Sequence, residues 1–490
     1  MKIAFDNSYA RLPERMFARV KPTAVRGPKL VAVNRGLAET LGIDPNALAS
    51  IEGVAVLAGN TMAEGSDPIA LAYAGHQFGS FVPQLGDGRA ILLGEVVGTD
   101  GKRRDIQLKG AGRTPFSRGG DGRAALSPVL REYLVSEAMA ALGIPTTRAL
   151  GAVLTGEPVH RERVLPGAVI ARVASSHLRV GTFEYFAVRN DKDALELLVR
   201  HALERHHPDA IDSENGALVL LERVLEAQAD LVAKWIGVGF VHGVMNTDNS
   251  SISGETLDYG PCAFLDTYHP AKVFSSIDRG GRYAFMNQPN MALWNLTRLA
   301  EALLPLFSED EDKAVRMAQE TLERFSSRFD MAHARVLRAK LGFSQEGADD
   351  IVLARDLLER MAENEVDHTL FFRRLSEAAH SVDADAGVAS LFQDPSAFHT
   401  WAESWRKRLA EETTSNEARA SAMRLVNPAF IPRNHRVEEV IEAATERNDF
   451  GPFETLQSVL AKPFEDQTEY ARFMEAPGSS QSTYRTFCGT

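Results

Sequence analysis

The clearest periodic pattern in the chain lies between residues 217 and 236. Apolar side chains recur there every three or four residues, which is the spacing of one face of an α-helix. The positions are Ala217, Leu220, Val224, Ala227, Leu231 and Trp235. This pattern predicts a helix that ends at Gly237, and similar patterns predict helices over about 291–306, 314–329 and 351–361.

Strand patterns lie closer to the N-terminus. Ile106 and Leu108 alternate with polar neighbours, so a strand there places Lys109 on the opposite face from both apolar side chains. Apolar runs at 90–97 and 168–173 predict buried strands. Ser127 as N-cap and Pro128 as first helical residue predict a helix that runs to about 142 and stops at Gly143. Residues 1–84 predict irregular structure, except for a helix over about 35–41.

Composition narrows the class of protein. A chain of 490 residues with 44% hydrophobic residues can bury a large core. The 54 basic and 66 acidic residues give a net charge of −12, which argues against general binding of nucleic acid or anionic membranes. Two cysteines exclude a disulfide framework. With no apolar leader and no window of membrane-spanning length, we expect a cytoplasmic protein.

The segment from His242 to Asp266 carries the strongest candidate chemistry. Two oxygen-rich clusters, at 246–249 and 258–260, flank a short polar linker. Hard cations such as Mg²⁺ prefer carboxylate and amide oxygens, so we predict that Asn249 and Asp258 bind a metal ion. Protein kinases chelate their metal ions in the same way, with an Asn of the catalytic loop and the Asp of a DFG tripeptide, which here reads Asp258-Tyr259-Gly260.

The kinase pattern fails at the catalytic base. Counting back five residues from Asn249, the expected Asp is replaced by Val244, which cannot accept a proton. Asp248 is the nearest carboxylate, and on an extended chain it points away from the side on which Asn249 holds the metal. We predict that Asp248 accepts the proton of an incoming hydroxyl. The alternative is a polar loop whose Asn and Asp residues only cap turns.

Two glycine-rich segments suit anion binding. Gly86 and Gly88 allow backbone N–H groups to approach a phosphate, and Arg89 adds positive charge. The loop at 110–123 is rich in Gly and Arg and contains Asp121 and Gly122. It predicts a second anion-binding loop, although a solvated flexible loop has the same composition.

Further charged residues fit a phosphate-binding lobe. Lys109 ends its strand just before the helix at 127–142, and in a kinase-like lobe a Glu of this helix pairs with the strand Lys. We assign that role to Glu132, with Glu137 as the alternative. Arg172 and Arg179 are fork-shaped donors that suit phosphate oxygens.

These elements predict an α+β fold with two kinase-like lobes. We divide the chain into an N-terminal extension (1–84), a small lobe (85–150), a large lobe with the catalytic hairpin (151–307), a helical C-terminal region (308–473) packed on the large lobe, and a mobile tail (474–490). The order of buried helix, catalytic loop and metal tripeptide is that of kinase large lobes.

Motifs along nearly the whole chain resemble those of the selenoprotein O family, in its bacterial form. They are FDNSYARLP at 5–13, AGHQFG at 74–79, QLGDGR at 84–89, QLKG at 107–110, HGVMNTDN at 242–249, LDYGP at 257–261, and shorter matches at 288–289, 294–296 and 427–428. The resemblance implies a pseudokinase fold that transfers AMP, rather than phosphate, from ATP to Ser, Thr or Tyr hydroxyls of proteins. It also implies that ATP binds inverted relative to kinases.

The same resemblance implies roles for individual residues. It implies Asp248 as the base, and Asn249 and Asp258 as ligands of Mg²⁺ or Mn²⁺. Contacts to the ATP phosphates are implied for Gly86, Gly88, Arg89, Lys109, Asp121, Gly122, Arg172 and Arg179.

The two cysteines have a counterpart in the family. Some relatives carry selenocysteine three positions from the C-terminus, and Cys488 is third from the end of this chain. A reversible disulfide between Cys262 and Cys488 would hold the tail against the metal site, so redox control is a hypothesis. Two unrelated thiols are the alternative.

Three function classes follow from the sequence. AMP transfer to protein hydroxyls comes first. A kinase-like phosphotransferase is the second class, disfavoured by Val244. A nucleotide-binding pseudokinase scaffold without chemistry is the third, disfavoured by the two metal ligands that the motif retains.

Overall fold

Strands are concentrated before residue 175 in the computed structural model, which describes residues 1–478 and 484–486. They are β1 Phe17–Arg19, β2 Lys29–Val33, β3 Ile69–Leu71, β4 Gly75–Gln77, β5 Ser80–Val82, β6 Ala90–Val97, β7 Arg103–Lys109, β8 Ala124–Ala125, β9 Arg148–His160, β10 Val164–Ala174, β11 Phe240–Val241 and β12 Ala263–Phe264. One antiparallel sheet joins eight of them in the order β1-β3-β6-β7-β10-β9-β2, with β8 beside β10.

Helices make up most of the remaining chain. They are α1 Arg35–Thr40, α2 Pro45–Ala49, α3 Ile51–Leu57, α4 Leu126–Ala141, α5 Val180–Ala187, α6 Lys192–His206, α7 Gly216–Gly237, α8 Gln288–Phe307, α9 Glu311–Leu322, α10 Arg324–Leu341, α11 Asp350–Glu363, α12 His368–His380, α13 Asp385–Ala389, α14 Pro395–Ala410, α15 Asn416–Arg424, α16 Asn434–Arg447 and α17 Gly451–Leu460. The α+β prediction is confirmed. None of these described helices has both the length and the apolar character needed to cross a bilayer.

The large sheet has a different core on each face. On β7, Ile106 and Leu108 pack with the apolar side chains of α1 and α3. Lys109 is on the other face, as the alternation predicts, because successive strand residues point to opposite sides. On β10, Ala168 and Ile170 pack against α4 on this second face. The sheet therefore presents Lys109 toward α4, where Glu132 lies.

The prediction of irregular structure before residue 84 is wrong. This region contributes β1, β2 and β3 to the large sheet, and α1–α3 cover one of its faces. The strands are only three to five residues long, too short for a period of two to stand out in the sequence. The sheet also continues past residue 150 through β10, so it crosses the predicted limit between the small and large lobes.

Helix α4 starts slightly earlier than predicted. It begins at Leu126, with Ala125 rather than Ser127 at the N-cap position. Pro128 falls in the first turn, where its missing N–H costs no intrahelical hydrogen bond. Helix limits commonly shift by one or two residues, and the position of Glu132 inside the helix is unaffected.

The C-terminal helices pack on both lobes, whereas the sequence predicted contact with the large lobe alone. Helices α9 to α14 share the core of the large lobe. Helices α16 and α17 instead pack on α4, where the rings of Tyr133 and Phe453 lie 5.5 Å apart. The pattern of apolar residues shows that a helix has a buried face but does not identify the partner that covers it.

Arg433 ties this C-terminal region to the large lobe. Its guanidinium is 1% exposed and donates hydrogen bonds to Asp266 at 2.8 Å and to Asp367 at 2.6 Å. Asp266 follows β12, and Asp367 caps the N-terminus of α12. Beside it, the amide of Asn434 bonds both the N–H and the C=O of Phe264.

We expect Arg433→Ala to lower the free energy of unfolding by about 3–5 kcal/mol, because it leaves two buried carboxylates without their partner. Arg447→Ala at the other end of α16 is the matched control, since Arg447 is 57% exposed and pairs with an exposed Glu442. It should cost less than about 1 kcal/mol. Denaturant unfolding of both variants measures the difference, and equal losses would contradict this account of Arg433.

Candidate active site

The predicted metal-binding hairpin is built on the short strands β11 and β12. Phe240 pairs with Phe264 and Val241 with Ala263. Inside the hairpin, Thr247–Asn249 forms one turn of 3₁₀ helix rather than the extended chain expected from the sequence. Consecutive side chains of such a turn differ in direction by about 120°, so the turn itself separates Asp248 from Asn249.

His242 connects the two halves of this hairpin by a hydrogen bond. Its backbone N–H donates to Gln288 of α8, and its ring Nε2–H donates to the carbonyl of Leu257 at 2.9 Å. Burial lowers the pKa of His242, which keeps the ring neutral. Because Leu257 directly precedes Asp258, His242 helps to fix the position of the predicted metal ligand.

Lys109, Glu132 and Arg172 form a buried chain of opposite charges. Lys109 Nζ donates to Glu132 Oε2 at 2.6 Å, and Arg172 Nη1 lies 3.2 Å from Glu132 Oε1. Arg172 Nε donates to Gln107 at 2.7 Å, and Lys109 Nζ is also 3.5 Å from Asp258 Oδ1. The predicted pairing of Lys109 with Glu132 is therefore present in the structure.

The alternative partner, Glu137, has a different environment. Its carboxylate pairs with Arg148 at 2.7 Å and accepts hydrogen bonds from Asn34 and the Ala149 backbone. Glu137 is five residues beyond Glu132 on α4, so it projects at a different angle around the helix.

Asp258 is ionised in this setting. Burial acts to raise the pKa of its carboxyl, but Lys109, Arg172 and Arg89 outweigh burial and hold the pKa well below its usual range. Its backbone has a φ of 70°, in the left-handed region that Asp adopts more readily than most residues. A left-handed residue here marks a sharp change of chain direction at the start of the Asp-Tyr-Gly tripeptide.

Asn249 and Asp258 fit the ligand chemistry of a hard cation. Asn249 donates its amide N–H to the carbonyl of Val244 at 3.1 Å, which orients the amide and makes its oxygen the atom that would bind the predicted metal ion. Within residues 1–478 and 484–486, no group of three or more His, Cys, Asp or Glu side chains is placed to hold a metal. One carboxylate and one amide would need phosphate and water oxygens to complete an octahedral shell.

Asp248 is a buried carboxylate. It is 8% exposed, and burial raises its pKa to about 6, against the opposing effect of Arg179 and a hydrogen bond from Gln77. Arg179 Nη1 donates to the backbone carbonyl of Asp248 at 2.8 Å and stacks on Tyr73. The structure thus places Arg179 beside the predicted base.

A cavity of about 460 Å³ opens above the Lys109–Glu132–Asp258 group. Its charged lining is mainly basic, and Ser127, Pro128 and Ile441 add smaller or apolar surface. The charged lining residues are Arg89, Lys109, Arg131, Glu132, Arg163, Asp258, Glu438 and Arg485. A cavity with this lining suits a polyanion better than a neutral ring.

The glycines of the segment at 86–88 have a packing role in the structure. A Cβ on Gly86 would lie 2.3 Å from the ring of Phe116, and one on Gly88 would lie 2.9 Å from the Phe116 carbonyl. Asp87 between them is buried and accepts hydrogen bonds from Gln107 at 2.9 Å and the Leu71 N–H at 3.1 Å. Close packing therefore accounts for both glycines, and their contact with phosphate stays a prediction.

Asp121 and Gly122 lie in the loop between β7 and α4. The carboxylate of Asp121 pairs with Arg161 at 2.8 Å and is 42% exposed. Gly122 has a φ of 69°, and its Cβ would collide with the Gly112 carbonyl at 2.1 Å. Neither residue lines the cavity that holds Lys109 and Asp258, so the structure does not bring them together with that group.

The predicted redox pair is described only in part. Cys262 is 1% exposed, its thiol donates to the Tyr259 carbonyl, and burial raises the pKa of the thiol to about 12. Cys488 lies outside the described residues, so the disulfide stays a hypothesis. The predicted tail contains an ordered contact, because Thr486 exchanges backbone hydrogen bonds with Phe274 and Ser276 and donates its hydroxyl to the Pro261 carbonyl.

The sequence patterns did not predict the roles of several residues of the site. The sequence placed Asp87 only within the QLGDGR motif and Gln107 only within the QLKG motif, without a role for either side chain. Arg131 had no predicted role, although it directly precedes Glu132 on α4 and lines the same cavity. Gln77, which contacts Asp248, lies far from it in the sequence and had no signal of its own.

Known proteins are similar to this chain over nearly its whole length. The family model described as "Protein adenylyltransferase SelO" matches residues 1–461. The chain is 64% identical over 492 residues to "Protein nucleotidyltransferase YdiU" of Methylorubrum populi, with 99% of each chain covered. It is 60% identical to proteins of the same name from Rhodopseudomonas palustris and Bradyrhizobium diazoefficiens, again with 99% coverage. The chain therefore belongs to the protein adenylyltransferase SelO family.

Proposed function

We propose that this protein transfers AMP from ATP to the hydroxyl groups of Ser, Thr or Tyr side chains of other proteins and releases pyrophosphate. The observation that carries the proposal is the set of three cations, Lys109, Arg172 and Arg89, around Glu132 and Asp258, next to a cavity whose charged lining is mainly basic. A neutral purine inside this cleft would desolvate these charged side chains without offering them a counter-charge, which is costly. Phosphate groups inside the cleft would instead be stabilised by their attraction to these cations.

The inverted orientation of ATP explains why AMP is the group transferred. With the terminal phosphates near Lys109 and Arg172, the α-phosphate lies closer to the mouth of the cleft, where an acceptor hydroxyl can reach it. Fixed positive groups around the β- and γ-phosphates stabilise the charge that develops on pyrophosphate as it leaves. Arg89, which lines the same cavity, would supply a further phosphate contact, and so would the turn at Gly86 and Gly88 and the Arg179 guanidinium.

Asp248 is the proposed general base. The acceptor oxygen attacks the α-phosphorus, and the bond from this phosphorus to the oxygen that bridges it to the β-phosphate breaks. Asp248 accepts the hydroxyl proton. A carboxylate with a pKa of about 6 holds a proton better than an exposed Asp but is still mostly ionised at neutral pH.

Asn249 and Asp258 would hold Mg²⁺ or Mn²⁺ together with phosphate oxygens. When bound, the ion supplies positive charge that neutralises the phosphates and orients them for in-line displacement. Lys109 keeps Asp258 ionised for this task, since a protonated carboxyl is a poor ligand.

Position-specific labelling separates AMP transfer from the alternatives. Incubation with α-labelled ATP should label protein, whereas γ-labelled ATP should not, because the γ-phosphate leaves with pyrophosphate. Label from the γ position alone would indicate a kinase-like phosphotransferase, and no label from either would indicate a scaffold. Asp258→Asn should reduce α-labelling at least about 100-fold, since the proposed metal ligand loses its charge.

We expect Asp248→Asn to slow AMP transfer by about 10²–10⁴-fold, the range for removal of a general base. ATP affinity should change less than about twofold, because the Arg179 contact uses the backbone carbonyl of residue 248 and not its side chain. Steady-state kinetics and direct nucleotide binding measure the two effects. A variant with the full rate would exclude Asp248 as the base.

Glu132→Gln and Glu137→Gln test the nucleotide-binding group. The first substitution removes the charge that holds Lys109 and Arg172, so ATP affinity should fall about tenfold or more, corresponding to about 1.4 kcal/mol. The second affects only the Arg148 pair, so ATP affinity should stay within about twofold. Calorimetric titration measures both, and equal affinities would contradict the role of Glu132.

A further inference from the structure

A small hairpin of the N-terminal region covers the proposed base. Strands β4 and β5 pair through Gly75–Val82, His76–Phe81 and Gln77–Ser80. Phe78 and Gly79 form the connecting turn, with φ values of 50° and 85°. Two consecutive left-handed residues are typical of a type I′ turn, which matches the twist of a two-stranded hairpin.

Three consecutive residues of this hairpin contact three consecutive residues of the catalytic loop. The His76 N–H donates to the Thr247 hydroxyl at 2.7 Å, and the Phe78 N–H donates to Asn246 Oδ1 at 2.9 Å. Between them, the Gln77 side-chain amide donates to Asp248 Oδ2 at 3.3 Å. The backbone contacts fix the loop, and the Gln77 contact reaches the carboxylate itself.

The two oxygens of Asp248 have different surroundings. Oδ2 accepts the hydrogen bond from Gln77. Oδ1 is buried and has no hydrogen-bond partner among the described residues. It lies over Gly75, where an added Cβ would come within 2.8 Å of it. One oxygen is thus buried against Gly75, while the other accepts the Gln77 amide N–H and retains a second lone pair for a proton.

The hairpin is itself held firmly. The His76 ring lies 2.5 Å from Glu184 Oε1 of α5 and packs edge-on against Trp294 of α8. Its ring also contacts Phe81 on the opposite strand. A hairpin anchored to two helices of the large lobe can hold Gln77 at a constant distance from Asp248.

We infer that Gln77 is a positioning residue for AMP transfer. Its side-chain N–H fixes the rotation of the Asp248 carboxylate, so that Oδ1 stays packed against Gly75 and Oδ2 keeps a constant position for the proton of the acceptor hydroxyl. Without that donor the carboxylate can rotate about its terminal bond, which has a broad torsional profile. This inference rests on the proposed function, because it concerns the base of that reaction.

Two substitutions of Gln77 test this role. Gln77→Leu removes the donor, and Gln77→Met keeps the length of the side chain but also removes the donor and adds no charge beside Asp248. Both should lower kcat for AMP transfer by about 10–100-fold, the scale expected when a catalytic group is misplaced by a fraction of an ångström to 1 Å. ATP affinity and thermal unfolding should stay close to those of the unsubstituted protein.

Gln319→Leu is the matched control, because it makes the same change at an exposed glutamine of α9. Its kcat should equal that of the unsubstituted protein. If Gln77→Met retained full activity while Gln77→Leu lost it, Gln77 would act through shape alone and the inference would be wrong. Full activity of both variants would also overturn it.

A double-mutant cycle with Asp248→Asn gives an independent readout. If Gln77 acts through the Asp248 carboxylate, Gln77→Leu should change the residual rate less than about twofold once Asp248 is replaced. An unchanged 10–100-fold effect in that background would indicate a general structural role and contradict the inference. Absence of α-labelling by the unsubstituted protein would instead reject the proposed function, so the two failures are distinguishable.

Discussion

The buried electrostatic group formed by Lys109, Glu132, Arg172 and Asp258 is the constraint on which the rest of the site depends. Two cations and two carboxylates share a mostly dry environment, where an unpaired charge would be costly. The distances between these charged groups are maintained only if the sheet, α4 and the predicted metal-binding hairpin keep their relative positions. Lys109, Glu132 and Asp258 of this group also line the cavity described above.

The elements around this group limit its movement. Helices α16 and α17 pack on α4, which carries Glu132, while Arg433 just before α16 binds carboxylates beside the metal hairpin. The C-terminal region therefore bridges the element that holds Lys109 in place and the one that holds Asp258. On the acceptor side, the hairpin of β4 and β5 fixes the loop that carries Asp248. The C-terminal region and the β4–β5 hairpin therefore both hold the site in place, and both are distant from it in the sequence.

Local signals in the sequence predicted much of this arrangement. The alternation of apolar and polar residues along β7 predicted that Lys109 lies on the opposite face from Ile106 and Leu108. The run of apolar residues at helical spacing predicted the length of α7. The Lys109–Glu132 pairing could be predicted because kinase-like order constrains which helix follows the strand. These are properties of short segments, which periodicity and spacing report directly.

What the sequence did not predict depends on distant contacts. The strands before residue 84 are too short to show a pattern, yet they extend the main sheet. Gln77 contacts a carboxylate 171 positions away, and α16 covers a helix of the other lobe. The glycines at 86 and 88 were explained by phosphate binding, while the structure shows that Phe116 leaves no room for a side chain.

The orientation of bound nucleotide tests the central claim most directly. A crystal structure with a non-hydrolysable ATP analogue and Mg²⁺ should show the γ-phosphate in the interior, within hydrogen-bonding distance of Lys109 or Arg172, and the adenine toward solvent. The purine in the interior with the terminal phosphate at the mouth of the cleft would contradict the account.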